Sequence, residues 1–222
     1  MKTIFLLFAI TIIFSACQKN TSSTTVSTDV YINTSSGSSW SYLQTDLLNS
    51  NPPSNYTVTS TSNDTTINSR KYHVYSYSYG GSEYLGVTGH DYYQYDSIPV
   101  SGGINIERLY LKDNASIGTN WSQDFSLTIP GVPLPVPLKV NNKIVEKGIT
   151  RTENGTSYSN VIHVSTTLSS SLIPSSAFSS SIDSYYAPKY GLIENTSVIQ
   201  LNYLGLVENV NVETQLMSSN LK

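Results

Sequence analysis

Two kinds of residue in this chain have types and spacing suited to chemistry: a lone cysteine near the start and a dense run of tyrosines beyond residue 70. Cys17 is the only cysteine, so no internal disulfide can form. Phe14, Ser15 and Ala16 stand directly before it, placing two small residues next to the thiol. Further upstream, Met1-Lys2-Thr3 is a short positive start, and Ile4 to Phe14 is apolar apart from Thr11. A charged start, an apolar run and small residues make the pattern of a secretory signal. The run is well short of the roughly 20 apolar residues that a membrane-crossing helix requires. Small residues followed at once by cysteine predict a lipoprotein signal over 1–16, cleaved after Ala16, with acyl chains on Cys17. The anchor must then come from those chains, and stable attachment takes more than one.

Eight of the 17 tyrosines are Tyr72, Tyr75, Tyr77, Tyr79, Tyr84, Tyr92, Tyr93 and Tyr95. Tyrosine offers a flat apolar body with a polar tip, which suits an aromatic platform for sugar rings or an apolar ligand. On this reading Tyr75, Tyr77 and Tyr79 are the candidate ligand-binding residues. In a chain with only 5 Phe, tyrosine also serves as core, its cross-strand pairs contributing about 0.2–1 kcal/mol each. The core reading is the one favoured here.

Other chemistries find little support. His73, His90 and His163 show no H-x-x-x-H spacing, and no second cysteine can join them at a metal. His90-Asp91 is the only adjacent His–acid pair, and it follows Gly89 in an expected turn, where solvated side chains are the default. The serines form no G-x-S-x-G elbow. No phosphate-cradling loop occurs, and the acidic residues are scattered. No catalytic residue, metal or cofactor is expected.

The elements that must position these residues read as strands. In Lys71 to Tyr79, His73, Tyr75, Tyr77 and Tyr79 alternate with Val74, Ser76 and Ser78, the period of a half-buried strand closed by Gly80-Gly81. Similar runs are Ser39–Leu43, Tyr56–Ser60, Tyr84–Val87, Tyr92–Tyr95, Arg108–Lys112, Phe125–Ile129, Leu138–Val145, Tyr158–Leu168, Gly191–Leu201 and Leu206–Leu216. Leu172 to Ile182 is the one stretch assigned a short helix. Residues 129–138 (IPGVPLPVPL) carry four prolines, which cannot donate to a ladder. They are read as a connector lying on the core, the alternative being a lip over a ligand cavity. Gly37-Ser-Ser-Trp40 echoes Gly118-Thr-Asn-Trp121, and Gly191-Leu-Ile-Glu-Asn195 echoes Gly205-Leu-Val-Glu-Asn209, each as a recurring turn into a strand. The fold class is all-β and mostly antiparallel, with a β-sandwich among the alternatives. The expected organisation is a signal over 1–16, a Ser/Thr-rich tether over 17–28, and a single β-rich domain over 29–222.

Gly37-Ser38-Ser39-Trp40-Ser41-Tyr42, Ile117-Gly118-Thr119-Asn120-Trp121, Tyr158 to Val164, and Tyr185-Tyr186-Ala187 with Gly191-Leu192-Ile193 occur in that order. In this respect the chain resembles uncharacterised lipoproteins of the Bacteroidota, with their G-x-x-W-x-Y opening, second Gly-x-x-Trp and late YYA…GLI signature. The resemblance implies a periplasmic or surface β-rich domain, a mostly antiparallel curved sheet or open half-barrel like that of lipoprotein carrier proteins, and no particular activity.

Without residues 1–16 the chain carries 11 basic and 15 acidic residues, a net charge of −4. An acidic chain with no basic cluster is a poor nucleic-acid binder. The leading reading is therefore a membrane-anchored, extracytoplasmic, non-enzymatic binding or envelope-interaction module. Its partners would be the membrane through Cys17 and an unidentified glycan, apolar ligand or envelope protein. A carrier of a lipid or other apolar ligand is the first alternative, and a hydrolase of envelope glycans the second. Gln18 rather than Asp after Cys17 points to the outer membrane, in its periplasmic or surface-facing leaflet. Asp64-Thr65-Thr66 and Asp96-Ser97-Ile98 match a short Asp-Ser/Thr-apolar pattern of O-glycosylation.

Overall fold

The computed structural model describes residues 30–49, 51–98, 104–128, 135–203 and 205–222. The signal, Cys17 and the tether over 17–28 lie outside the described residues. Twelve strands follow one another in a single antiparallel sheet, each hydrogen-bonded to its neighbours in the chain except at one junction. The first half comprises β1 (Ser39–Asp46), β2 (Ser54–Ile67), β3 (Arg70–Tyr77), β4 (Ser82–Thr88), β5 (Asp91–Ile98) and β6 (Ile104–Lys112). The second comprises β7 (Asn120–Leu127), β8 (Val136–Glu153), β9 (Thr156–Ser169), β10 (Phe178–Ala187), β11 (Gly191–Tyr203) and β12 (Leu206–Asn220).

The spatial order is β6-β5-β4-β3-β2-β1-β12-β11-β10-β9-β8-β7. The first and last strands therefore pair in the middle of the sheet, with Trp40 opposite Ser219 and Asp46 opposite Val212. The two sheet edges belong to β6 and β7, which are consecutive in the chain. Curling brings these edges together into a nearly closed barrel: the antiparallel sheet expected from the alternation, with the curvature that the resemblance implies. One continuous sheet excludes the β-sandwich alternative.

Tyrosine forms much of the core: Tyr31, Tyr42, Tyr72, Tyr75, Tyr92 and Tyr158 are all buried. One cluster centres on Trp40, Tyr42, Val58, Tyr75, Ile193 and Leu216. A second joins Tyr31 to Tyr92, Leu111, Ile144, Ile162 and Val164. Tyr31 belongs to the segment ahead of β1, which fills one end of the barrel. Its backbone N–H donates to Tyr92 Oη at 3.2 Å, and its own hydroxyl donates to the Asn160 carbonyl at 2.7 Å. Tyr75 Oη donates to the carbonyl of Asn33 in the same segment at 2.9 Å. Gly37 and Gly118 both have positive φ, 83° and 87°, just ahead of the Trp-bearing strands β1 and β7. Their shared motif is thus a turn that only glycine adopts cheaply.

Three expectations are corrected. Leu172 to Ile182 forms no helix; residues 172–177 are loop and turn, and β10 starts at Phe178. Serine hydroxyls compete for the backbone there: Ser180 Oγ accepts from Leu168 N at 2.6 Å and Ser170 Oγ from Leu172 N at 3.3 Å. The tyrosine strand ends at Tyr77, because Gly80 N–H turns back onto the Tyr77 carbonyl at 3.0 Å. Tyr79 accordingly lies in the turn, 71% exposed, while Tyr75 is 2% exposed. Finally, the proline-rich stretch is not wholly a connector, since Val136, Pro137 and Leu138 begin β8. Pro137 pairs with Ser126 of the edge strand β7, and the β8–β9 ladder starts only at Lys139–Ser169. The missing N–H therefore costs no bond on that side. Residues 129–134 lie outside the described residues.

Candidate functional site

The concave face of the sheet encloses a cavity of about 500 Å³, within the range of small-molecule sites. Alternation along each strand sends every second side chain into it. Trp40 and Tyr42 come from β1, Tyr56 and Val58 from β2, Tyr75 and Tyr77 from β3. On the far side, Leu138 and Val140 of β8, Leu168 of β9, Ile182 of β10 and Ile199 of β11 give an aliphatic wall. Ile32 and Asn33 of the N-terminal segment close the floor. The rings are in mutual contact: Tyr42 and Tyr56 stack at 5.3 Å, and Tyr77 meets Tyr56 edge-on at 6.1 Å.

A polar ridge crosses the cavity wall on three adjacent strands. Arg108 of β6 donates to Gln94 Oε1 of β5, and Gln94 Nε2 donates to Glu83 Oε1 of β4 at 2.6 Å. The β4–β5 register pairs Tyr84 with Tyr95, and Glu83 and Asp96 flank that pair, one on each strand, both lining the cavity. Glu83 is half-buried because its remaining surface faces the cavity. Burial, and secondarily the Asp96 carboxylate, push Glu83 up to about 7, against the pull of Arg108 and Gln94. Burial also raises the phenols of Tyr42, Tyr56 and Tyr77 above their usual range, so they stay neutral. The Trp40 indole Nε1 is buried without a hydrogen-bond partner among the described residues.

Antiparallel connectivity puts the β1–β2, β3–β4, β9–β10 and β11–β12 turns at the barrel end opposite the N-terminal segment. Leu47, Leu48, Tyr79, Leu172 and Val207 occur in or beside those turns, all more than half exposed. That end carries an apolar rim.

A second constellation has the hydrogen-bond order of a Ser–His–Asp triad. Ser60 Oγ lies 2.8 Å from His73 Nε2, and His73 Nδ1 lies 2.7 Å from Asp64 Oδ1. A bulge in β2 between Ser60 and Asp64 brings the carboxylate opposite His73. Ser60 is only 1% exposed, and its backbone is bonded to Gly37 and Ser38. No acyl carbon can approach such a hydroxyl, and none of the three residues lines the cavity. The constellation acts as a structural knot between β2, β3 and the segment ahead of β1.

No protein-family profile matches the chain. No curated protein matches it either. Among solved structures, a candidate lipoprotein from Parabacteroides distasonis ATCC 8503 gives a TM-score of 0.48 at 10% identity, covering 86% of this chain and 99% of that one. A candidate exported protein with YmcC-like fold from Bacteroides fragilis NCTC 9343 gives 0.48 at 8% identity, with the same coverage of each chain.

The candidate residues picked out by sequence are divided by this geometry. Tyr75 and Tyr77 line the cavity, whereas Tyr79 stacks on Tyr77 at 4.9 Å from outside the strand. Tyr84, Tyr93 and Tyr95 occupy the alternate positions of β4 and β5 and face away from the cavity. His90 contacts not its neighbour Asp91 but Asp113, at 2.6 Å, while Asp91 pairs with Lys112. His163 sits between Glu146 and Asp183 and stacks on Tyr185 at 4.3 Å. Among the described residues no three His, Cys, Asp or Glu side chains converge as a metal site, and no helix is long and apolar enough to cross a membrane. Asp64 of the first glycosylation triplet is held by Lys71 and His73, and Asp96 of the second lines the cavity. Sequence reading missed Glu83, Gln94, Asp96 and Arg108 as a group. Their only signal was a charge at an inward position of three short strands in a row.

Proposed function

We propose that this chain is an extracytoplasmic lipoprotein, anchored through acylated Cys17 to the outer membrane, that holds an amphipathic small molecule inside its barrel without transforming it. The observation that carries this reading is the cavity itself, mostly apolar and crossed by one polar ridge. A filled interior would have favoured a module acting through its outer surface; an open one favours a ligand within. The apolar rim supports the same reading, because it offers an apolar path between a lipid phase and the cavity. The test is native mass spectrometry of the protein extracted from its own membrane in mild detergent. The expected result is a bound small molecule that is lost on denaturation. A ligand-free protein that also takes up no apolar probe would overturn the reading.

A second reading rests on Glu83 and Asp96. A carboxyl raised to about 7 beside another carboxylate is the arrangement that glycoside hydrolysis uses. Turnover of aryl glycosides, lost on Glu83→Gln, would establish it. The hydrogen bond from Gln94, itself held by Arg108, favours binding over catalysis, since it fixes the Glu83 carboxyl as a standing part of the wall.

A further inference from the structure

Three charged side chains line the cavity: Glu83, Asp96 and Arg108. With Glu83 ionised, the form that a bound cation would favour, two carboxylates against one guanidinium leave an excess of one negative charge in an enclosure otherwise built from aromatic, aliphatic, amide and hydroxyl groups. Like charge brought into such a low-dielectric space is repelled far more strongly than in water, and opposite charge is favoured to the same degree. A fatty-acid carboxylate or a phosphate head is therefore the wrong sign for this interior.

The aromatic wall points the same way from separate geometry. Tyr42, Tyr56 and Tyr77 form a contiguous array lining the same chamber as the carboxylates, and the Glu83 charge is felt by all three phenols. Ring faces attract a cation within about 6 Å of the centroid, most strongly where water is excluded. Carboxylate and rings together describe a receptor for an ammonium group. Trp40 adds an unspent donor, since its buried N–H has no acceptor among the described residues. An ester or hydroxyl oxygen near the head would supply one.

We propose that the barrel recognises a monocationic amphiphile. Its amine or quaternary ammonium head would lie between Glu83, Asp96 and the tyrosine rings, with its apolar body against Leu138, Val140, Leu168 and Ile182. This rests on the internal-binding reading above and specifies the ligand class for it.

The experiment is calorimetric titration of the mature protein with decyltrimethylammonium, decanoate and decyl maltoside, each below its micelle concentration. The cation is expected to bind at least tenfold more tightly than either of the others. Glu83→Gln should weaken the cation about tenfold and leave decyl maltoside unchanged, and Arg108→Gln should strengthen the cation. The neutral probe doubles as the control for cavity integrity in each variant, and the wild-type ranking stands even if a variant misfolds. Equal binding of all three probes, or preference for decanoate, would overturn the cation assignment and leave internal binding intact. Binding of none would overturn both.

Discussion

The side-chain amide of Gln123 accepts a hydrogen bond from the backbone N–H of Leu109 at 2.6 Å and donates to the Glu107 carbonyl at 3.2 Å. These are the outward backbone groups of edge strand β6, and Gln123 stands on edge strand β7. One side chain thus does what a peptide unit of a neighbouring strand would do. Trp121 Nε1 adds a third bond, to the Leu109 carbonyl at 2.8 Å. The barrel is closed here by side chains, which also shields two edges that would otherwise template aggregation. Gln123→Ala leaves both backbone groups short of a partner and should cost about 1–3 kcal/mol. Urea denaturation checks this; an unchanged midpoint would show that the seam contributes nothing.

The tyrosines of the β3 region should separate into three behaviours. Tyr75 is core, and Tyr75→Ala should cost about 3–5 kcal/mol, as large-to-small aromatic changes in cores do. Tyr79 is a surface residue, and Tyr79→Ala should fall within about 0.5 kcal/mol of wild type. Tyr77 is half-buried with one side on the cavity. Its replacement by Ala should cost about 1–2 kcal/mol and also weaken ligand binding. Thermal melts of the three variants give the ranking, and a Tyr77 variant as unstable as the Tyr75 one would return Tyr77 to the core proper.

That division shows what could be read in the sequence and what could not. Strict alternation from His73 to Tyr77 was enough to identify β3, and similar runs identified most of the sheet. The same alternation could not say which face of β5 points inward, because Tyr92 stands on one face and Tyr93 and Tyr95 on the other. Strand β10 was mistaken because Ser179, Ser180 and Ser181 conceal its alternation, and apolar periodicity is what distinguishes a strand from a loop. The polar ridge was hidden for a different reason. Glu83, Gln94 and Arg108 are far enough apart in the chain that only strand register brings them together.

The anchor is testable through Cys17 itself. Cys17→Ser removes the only thiol, so acylation should be abolished and the protein should leave the membrane fraction or persist as a precursor. Fractionation of cells expressing that variant checks it. Intact-mass measurement of the wild type should show acyl chains on Cys17. Density-gradient separation should place the protein with outer-membrane markers, and co-migration with the inner membrane would refute the reading of Gln18.

Stability should fall as the pH rises from mildly acidic to mildly basic. Two carboxyls are raised to about 7 in the folded protein: Glu83 on the cavity wall, and Glu153 beside Glu194 and Arg151. Burial is the main cause for both, with a neighbouring carboxylate second. A carboxyl raised on folding binds its proton more tightly in the native state than in the unfolded chain. Its contribution is therefore complete below the ordinary glutamate value of about 4.3 and is lost as the pH climbs through 7. Asp46 and Asp64 behave oppositely. Side-chain hydrogen bonds, from Asn49 for the first and from Lys71 and then His73 for the second, hold them below the usual range. Their contribution is lost only as the pH falls below about 4. The melting temperature should thus peak at about pH 5 and drop by several degrees by about pH 8.5, given roughly 2–4 °C per kcal/mol for a chain of this size. Glu83→Gln keeps the acceptor for Gln94 and cannot ionise. It should melt above wild type at the basic end and show a shallower decline. A variant that follows the wild-type curve throughout would mean that Glu83 is solvated like any surface glutamate, and the enclosed, water-poor cavity wall would have to be abandoned with it.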